Sequence, residues 1–146
     1  MKSLLAALAA AFFTGGSWAG LGAAPAHWPT QAAAPRSSTL STGSASYTVV
    51  QRQLDSGTTV QEFVDSSGTV FAVSWSGPFL PDLQELLGIH FDAMVAQGRR
   101  QGGQRSRLAV QSLEAVIVSE GHMGALAGRA WLPPRLPAGF DARAIP

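Results

Sequence analysis

The stretch YTVVQRQLDSGTTVQEFVDSSGTVFAVSWSGPFLPDLQELLG, residues 47–88, decides the predicted fold. It contains three runs rich in β-branched and aromatic residues: 47–54, 59–64 and 69–75. The connections Asp-Ser-Gly and Asp-Ser-Ser-Gly are turn sequences, each with a glycine available for a positive φ. Short β-rich runs joined by tight turns predict a three-stranded antiparallel meander.

The third run is apolar on both sides. Strict alternation predicts that Phe71, Val73 and Trp75 face one side of the sheet, while Val70 and Ala72 face the other. A strand of this kind is typical of the interior of a sheet that is covered on both faces.

A helix is predicted after the meander. Pro81 suits its first turn, and Asp82 and Glu85 favour the positive end of the helix dipole. A mostly apolar face recurs at helical spacing, formed by Leu83, Leu86, Leu87, His90, Met94 and Val95. Gly88 weakens the middle by about 1 kcal/mol relative to alanine, so two shorter helices are an alternative to one.

Two further strands, 108–119 and 125–132, follow the helix. The order β-β-β-α-β-β predicts an α+β fold, an antiparallel five-stranded sheet with one helix packed on a face. The tail from Pro133 contains three more prolines and is expected to run extended over the surface.

Residues 1–19 indicate a cleaved secretory signal peptide. Lys2 gives a positive start, and residues 4–13 form an apolar stretch. Ser17 and Ala19 supply small side chains at −3 and −1, so the expected cut follows Ala19. The apolar stretch is shorter than the about 20 residues of a transmembrane helix. We therefore expect a periplasmic or secreted protein without a transmembrane segment after cleavage; an uncleaved anchor is the alternative.

The rest of the chain divides into two parts. Residues 20–45 are rich in Ala, Ser and Pro and cannot bury enough apolar surface to fold alone, which predicts a flexible arm with Trp28 as its single large apolar group. Residues 46–146 are predicted to form one domain, including the proline-rich tail.

Missing residue types exclude several chemistries. The chain has no cysteine, which excludes thiolate nucleophiles, iron–sulfur clusters, cysteine-ligated zinc and disulfides. Of its ten lysine and arginine residues only Lys2 is a lysine, and it lies in the predicted signal. The predicted mature chain therefore has nine arginines against nine carboxylates and no lysine for a Schiff base or a phosphate loop.

One loop is strongly basic although the mature chain is neutral. No acidic residue lies among its arginines, which are Arg99, Arg100, Arg105 and Arg107. Such segments bind RNA in intracellular proteins, but the predicted export excludes nucleic acid as a partner. An anionic envelope surface, such as lipid headgroups or an acidic polysaccharide, is the favoured partner. A solvated loop without a partner is the alternative.

His122 is the most suggestive single residue for chemistry. It follows Glu120 by two positions in a glycine-rich connection, and an imidazole beside a carboxylate can act as a general base or hold a metal. The simpler interpretation is turn chemistry. His27 and His90 lie far from it in sequence, without the spacing of a helical zinc site, so no metal or cofactor is predicted.

Trp75 and Trp131 are the other candidate binding residues. Each lies at or near a predicted strand end, from which an indole could line a groove and stack on a sugar. The alternative is that both close a small core. Arg129 shares a strand face with Trp131 and could contact it.

Longer motifs carry a family resemblance. Besides residues 47–88, they are Glu120-Gly121-His122-Met123, Gly128-Arg129-Ala130, Leu132-Pro133 and Pro137-Ala138-Gly139. Together they resemble the small exported bacterial proteins grouped as domain of unknown function 2844. The resemblance covers essentially the whole predicted domain and implies export and a single-domain fold. It implies no substrate and no catalytic residue.

These observations favour a non-enzymatic binding or accessory module of the bacterial envelope. Its partner is expected to be an envelope protein or an anionic envelope surface, contacted through the sheet edge, the arginine loop and the His122 turn. A small hydrolase or metal-dependent enzyme using His122 and Glu120 is one alternative. A structural or assembly factor is the other.

Overall fold

The computed structural model describes residues 19–28, 33–42, 45–102 and 106–146. These residues form strands β1 (Arg36–Thr42), β2 (Ala45–Gln53), β3 (Thr59–Asp65), β4 (Val70–Gly77), β5 (Arg107–Gln111), β6 (Val116–His122) and β7 (Ala125–Trp131). Two α-helices, α1 (Leu83–Leu87) and α2 (Phe91–Arg100), lie between β4 and β5. Short 3₁₀ turns cover Gly88–His90, Pro133–Arg135 and Ala142–Ala144.

All seven strands belong to one antiparallel sheet in the order β1-β2-β3-β4-β7-β6-β5. This confirms the α+β class and the antiparallel sheet. The prediction of five strands is wrong, because two strands were not anticipated. The helical region is two helices joined by the 3₁₀ turn, the alternative that Gly88 had left open; this glycine has a φ of +55°.

The first unanticipated strand, β1, lies within the segment predicted to be a flexible arm. It pairs with β2 over its whole length, from Arg36 opposite Gln51 to Thr42 opposite Ala45. The residues of β1 from 36 to 41 are all exposed. Since backbone pairing at the sheet edge holds this strand, it needs no apolar face and gave no hydrophobic signal.

The second unanticipated strand appears because the segment predicted as one strand, 108–119, forms a hairpin of two strands, β5 and β6. Ser112 makes the turn: its hydroxyl oxygen accepts hydrogen bonds from the backbone N–H groups of Glu114 and Ala115, at 3.3 and 3.0 Å. A serine side chain that bonds the backbone two and three residues later is typical turn chemistry. The apolar residues on both sides of it made the run look continuous.

The sheet is covered on both faces. Neighbouring residues of one strand belong to different apolar clusters, as with Ala130 and Trp131 of β7, so the clusters lie on opposite faces. The first cluster contains Trp75, Ile117 and the buried leucines of α1. The second is aromatic, with Phe71 and Phe140 in edge contact at a centroid distance of 5.2 Å.

The chain ends supply part of each cover. Residues 19–28, the N-terminal segment, put Leu21, Ala26 and Trp28 into the first cluster. The C-terminal tail crosses the other face, where Ile145 is fully buried and its carbonyl oxygen accepts a 3.0 Å hydrogen bond from Nη1 of Arg129. In the described residues no helix has the length and apolarity needed to cross a membrane.

Candidate functional site

Three of the four arginines of the basic loop lie at one end of the sheet. Arg99 and Arg100 occupy the last turn of α2, and Arg107 is the first residue of β5; all three are exposed. Arg105 lies outside the described residues. In the described parts of the chain, no carboxylate lies within ion-pair distance of any of these three arginines.

The His122 hairpin lies at the same end. Arg107 is opposite Glu120 in the β5–β6 ladder, and the Gly121 N–H donates a 3.0 Å hydrogen bond to the Ser106 carbonyl. The hairpin therefore turns back beside the start of β5. At its tip the Met123 side chain is 95% exposed. We call the set Arg99, Arg100, Arg107, His122 and Met123 the basic end.

His122 is a hairpin residue. Its side chain is exposed, and Nδ1 lies 3.1 Å from the Met123 carbonyl oxygen. No hydrogen bond or ion pair between the side chains of His122 and Glu120 is present in the described structure. This geometry fits the turn interpretation of His122.

The three histidines do not converge. His27 lies in the N-terminal segment, whereas His90 ends the 3₁₀ turn between the helices, where burial lowers the pKa of its imidazole against the weaker opposing effect of Glu114. Among the described residues, no three His, Asp or Glu side chains are grouped as metal ligands. The structure therefore brings only His122 to the basic end.

The two tryptophan candidates differ in burial: Trp75 is a core residue, whereas Trp131 is partly buried. Trp75 is 2% exposed and lies over Gly128 of β7, where a Cβ would overlap its indole. Trp131 packs against the second cluster beside Phe63 and Phe71. Neither indole belongs to the basic end, and neither lines the three cavities whose walls include α1, α2 or the N-terminal segment.

An open groove does adjoin the basic end, between α2 and β5. It encloses about 590 Å³ and is lined by Ala93, Ala96, Gln97, Arg100, Ala109, Val110 and Gln111. Small side chains on both walls leave the space, and among the described lining residues Arg100 is the charged one. This groove was not predictable from the sequence, because it depends on how α2 packs against β5 at the sheet edge.

Glu62 is the polar group that sequence reasoning missed. It is fully buried: Oε1 accepts a 2.7 Å hydrogen bond from the Ala26 N–H, and Oε2 lies 3.2 Å from Nε of Arg52. Burial raises the pKa of this carboxyl, although the Ala26 hydrogen bond and the Arg52 charge oppose the rise. The available signal was a carboxylate between Val60 and Val64 on an apolar strand face.

Comparisons with known proteins bear on the family alone. No curated protein and no solved structure matches the chain. One family model, described as protein of unknown function (DUF2844), matches residues 17–145. The match covers nearly all of the described structure, and the chain therefore belongs to the DUF2844 family.

Proposed function

We propose that this protein is an exported, non-enzymatic accessory protein of the bacterial envelope that binds an anionic envelope surface through its basic end. The observation that carries the proposal is the gathering of three exposed arginines, none of them in an ion pair with a described carboxylate, at the same end of the sheet as an exposed methionine. Export rests on the signal-like residues 1–19, and periplasmic or secreted localisation follows from it.

The arrangement suits a charged surface better than a small substrate. Each arginine near an anionic leaflet contributes about 1 kcal/mol of attraction, which falls off within a Debye length. Three such side chains at one end give the molecule a preferred orientation towards the surface. The hairpin tip adds an apolar side chain, Met123, that can enter the boundary between headgroups and acyl chains.

A charge-matched pair of variants tests the proposal. Replacing Arg99, Arg100 and Arg107 with glutamine should weaken association with vesicles containing phosphatidylglycerol by about a hundredfold or more at low salt, since three contributions of about 1 kcal/mol are lost. The control replaces three exposed arginines elsewhere, Arg36, Arg135 and Arg143, and carries the same net charge. Vesicle co-sedimentation measures both.

The control should bind nearly as well as the wild type, and binding of the wild type should weaken steeply as salt rises. Equal loss in both triple variants would mean that net charge, not the basic end, governs association. Absence of wild-type binding to phosphatidylglycerol or lipopolysaccharide would overturn the proposal.

A further inference from the structure

The N-terminal segment is held in the fold by contacts spread along its length. The Leu21 N–H donates to the Leu86 carbonyl, and the Gly22 N–H to the Val70 carbonyl, at 2.9 and 2.8 Å. The Val70 N–H returns a 2.8 Å hydrogen bond to Ala23. Leu21, with 2% exposure, fills the first cluster. The segment directly after the predicted cleavage bond is thus an interior element.

Of the two residues that flank this bond, Gly20 is buried and Ala19 is half-buried. Ala19 pairs with Ala24 in an isolated β-bridge, and the buried Gly20 donates its N–H to the Ala24 carbonyl at 2.8 Å. Gly20 has a φ of +97°, and a Cβ there would overlap the carbonyl oxygen of Glu85 and lie 2.8 Å from that of Leu86. Both carbonyls belong to α1, which packs directly over the bond.

A protease needs several residues of extended, accessible backbone around the bond that it cuts. In the folded domain the strand-like pairing and the α1 carbonyls occupy the space around Gly20. Cleavage therefore requires that the segment be undocked, and docking of the segment closes the site.

We propose that the Ala19–Gly20 bond is a processing site that is cut before the domain folds, and that Gly20–Trp28 then docks as a structural part of the mature protein. This inference rests on the proposed export. A signal peptidase of the membrane hydrolyses the amide with one water, so Ala19 leaves with a carboxylate and Gly20 gains an α-amino group.

The order of events can be measured with the full-length chain and purified signal peptidase in detergent. Chain diluted from urea directly into the peptidase should yield product that begins at Gly20. Chain that is first allowed to refold should be cut at least about tenfold more slowly, because only the transiently opened fraction is a substrate. Intact mass identifies the product. Equal rates for the two orders of addition would overturn the inference.

A comparison of Gly20→Ala with Gly68→Ala tests whether Gly20 is packed against α1. Both glycines have a positive φ, +97° and +84°, but a Cβ at Gly68 meets nothing within 4 Å. The cost of an alanine with positive φ is therefore common to both, and the collision with α1 belongs to Gly20 alone. Gly20→Ala should lower the melting temperature clearly more than Gly68→Ala. Equal shifts would mean that Gly20 is not docked.

These outcomes separate the inference from the proposed function. Loss of vesicle binding leaves the order-of-addition result unaffected, because the basic end lies apart from Gly20. A full-length chain that accumulates uncut in the cytosol would refute export and with it the processing step, yet the glycine comparison would still report whether the segment is docked.

Discussion

Glu62 is a carboxylate placed in the core by the strand on which it lies. Its two hydrogen-bonded partners come from different parts of the chain, Ala26 from the N-terminal segment and Arg52 from β2. In a buried ion pair of this kind, the attraction between the two charges offsets the cost of desolvating them. Removing one member alone leaves the other charge buried and unpaired, which destabilises the fold strongly. Here the same carboxylate also fixes the backbone of the N-terminal segment.

The raised pKa of Glu62 has a defined consequence for stability. The folded state holds the Glu62 proton more tightly than the unfolded state does. The resulting contribution to the unfolding free energy is therefore fully present below the ordinary pKa of 4.5 and is lost as the pH rises through the raised pKa. In Glu62→Gln this contribution is absent. We therefore expect the unfolding free energy of wild type to fall relative to Glu62→Gln as pH increases from 4.5, measured by urea titrations across that range.

Arg52→Gln provides the complementary measurement. Without the guanidinium the ionised Glu62 is buried and unpaired, so this variant should be destabilised more at pH 7 than at pH 4.5, by about 3–5 kcal/mol at the higher pH. A destabilisation that does not change with pH would contradict the ionised pair.

Single residues also limited what the sequence could predict. Alternation along β4 failed at Phe71: Phe63 is opposite Ala72 and Val64 opposite Val70, so Phe71 is an extra, bulged residue. As a result Phe71 and Ala72 belong to the second cluster, whereas Val73 and Trp75 belong to the first. A bulge inside an apolar run leaves no trace in composition, since every residue around it is hydrophobic.

At the scale of elements, the two parts of the predicted arm differ in what holds them. The N-terminal segment is fixed by buried apolar side chains, while β1 is fixed by backbone pairing with β2. Neither was predictable from local pattern, because the first has too few apolar residues to show a period and the second has none buried. The meander, the interrupted helix and β7 were predictable, because each shows its pattern of apolar residues and turn residues within a short stretch of sequence.

Two leucine truncations separate these elements. Leu21→Ala should lower the unfolding free energy by about 2–5 kcal/mol, as expected for a buried leucine. Leu40→Ala, on β1 with 46% exposure, should change it by less than about 0.5–1 kcal/mol. Equilibrium urea unfolding measures both. Comparable losses in the two variants would contradict the packing of the N-terminal segment.

At the scale of the whole molecule, one central strand joins the two faces. β4 contributes Trp75 to the first cluster and Phe71 to the second, and both are almost fully buried. The covers come from opposite ends of the chain, an arrangement that no local reading of the sequence predicts. The basic end, in contrast, was predictable in part, since its arginines are close in sequence. That the His122 hairpin lies beside them was not predictable, because it depends on the pairing of β5 with β6.

This arrangement predicts a single unfolding transition. Ile145→Ala removes a fully buried side chain from the second cluster and should cost about 2–5 kcal/mol. Since both faces share β4, tryptophan fluorescence, to which Trp28 and Trp75 of the first cluster contribute, should shift to the same lower midpoint as far-UV circular dichroism. Separate midpoints for the two probes would contradict the single transition.

The hydrogen bonds of the N-terminal segment also constrain the timing of synthesis. Ala26 bonds a side chain 36 positions later and His27 one 58 positions later, so these contacts have a high contact order. A ribosome makes the chain from its N-terminus, and the segment therefore emerges long before α1 exists. Until then Leu21 and Trp28 have no core to enter, and exposed apolar side chains on a nascent chain are what chaperones shield.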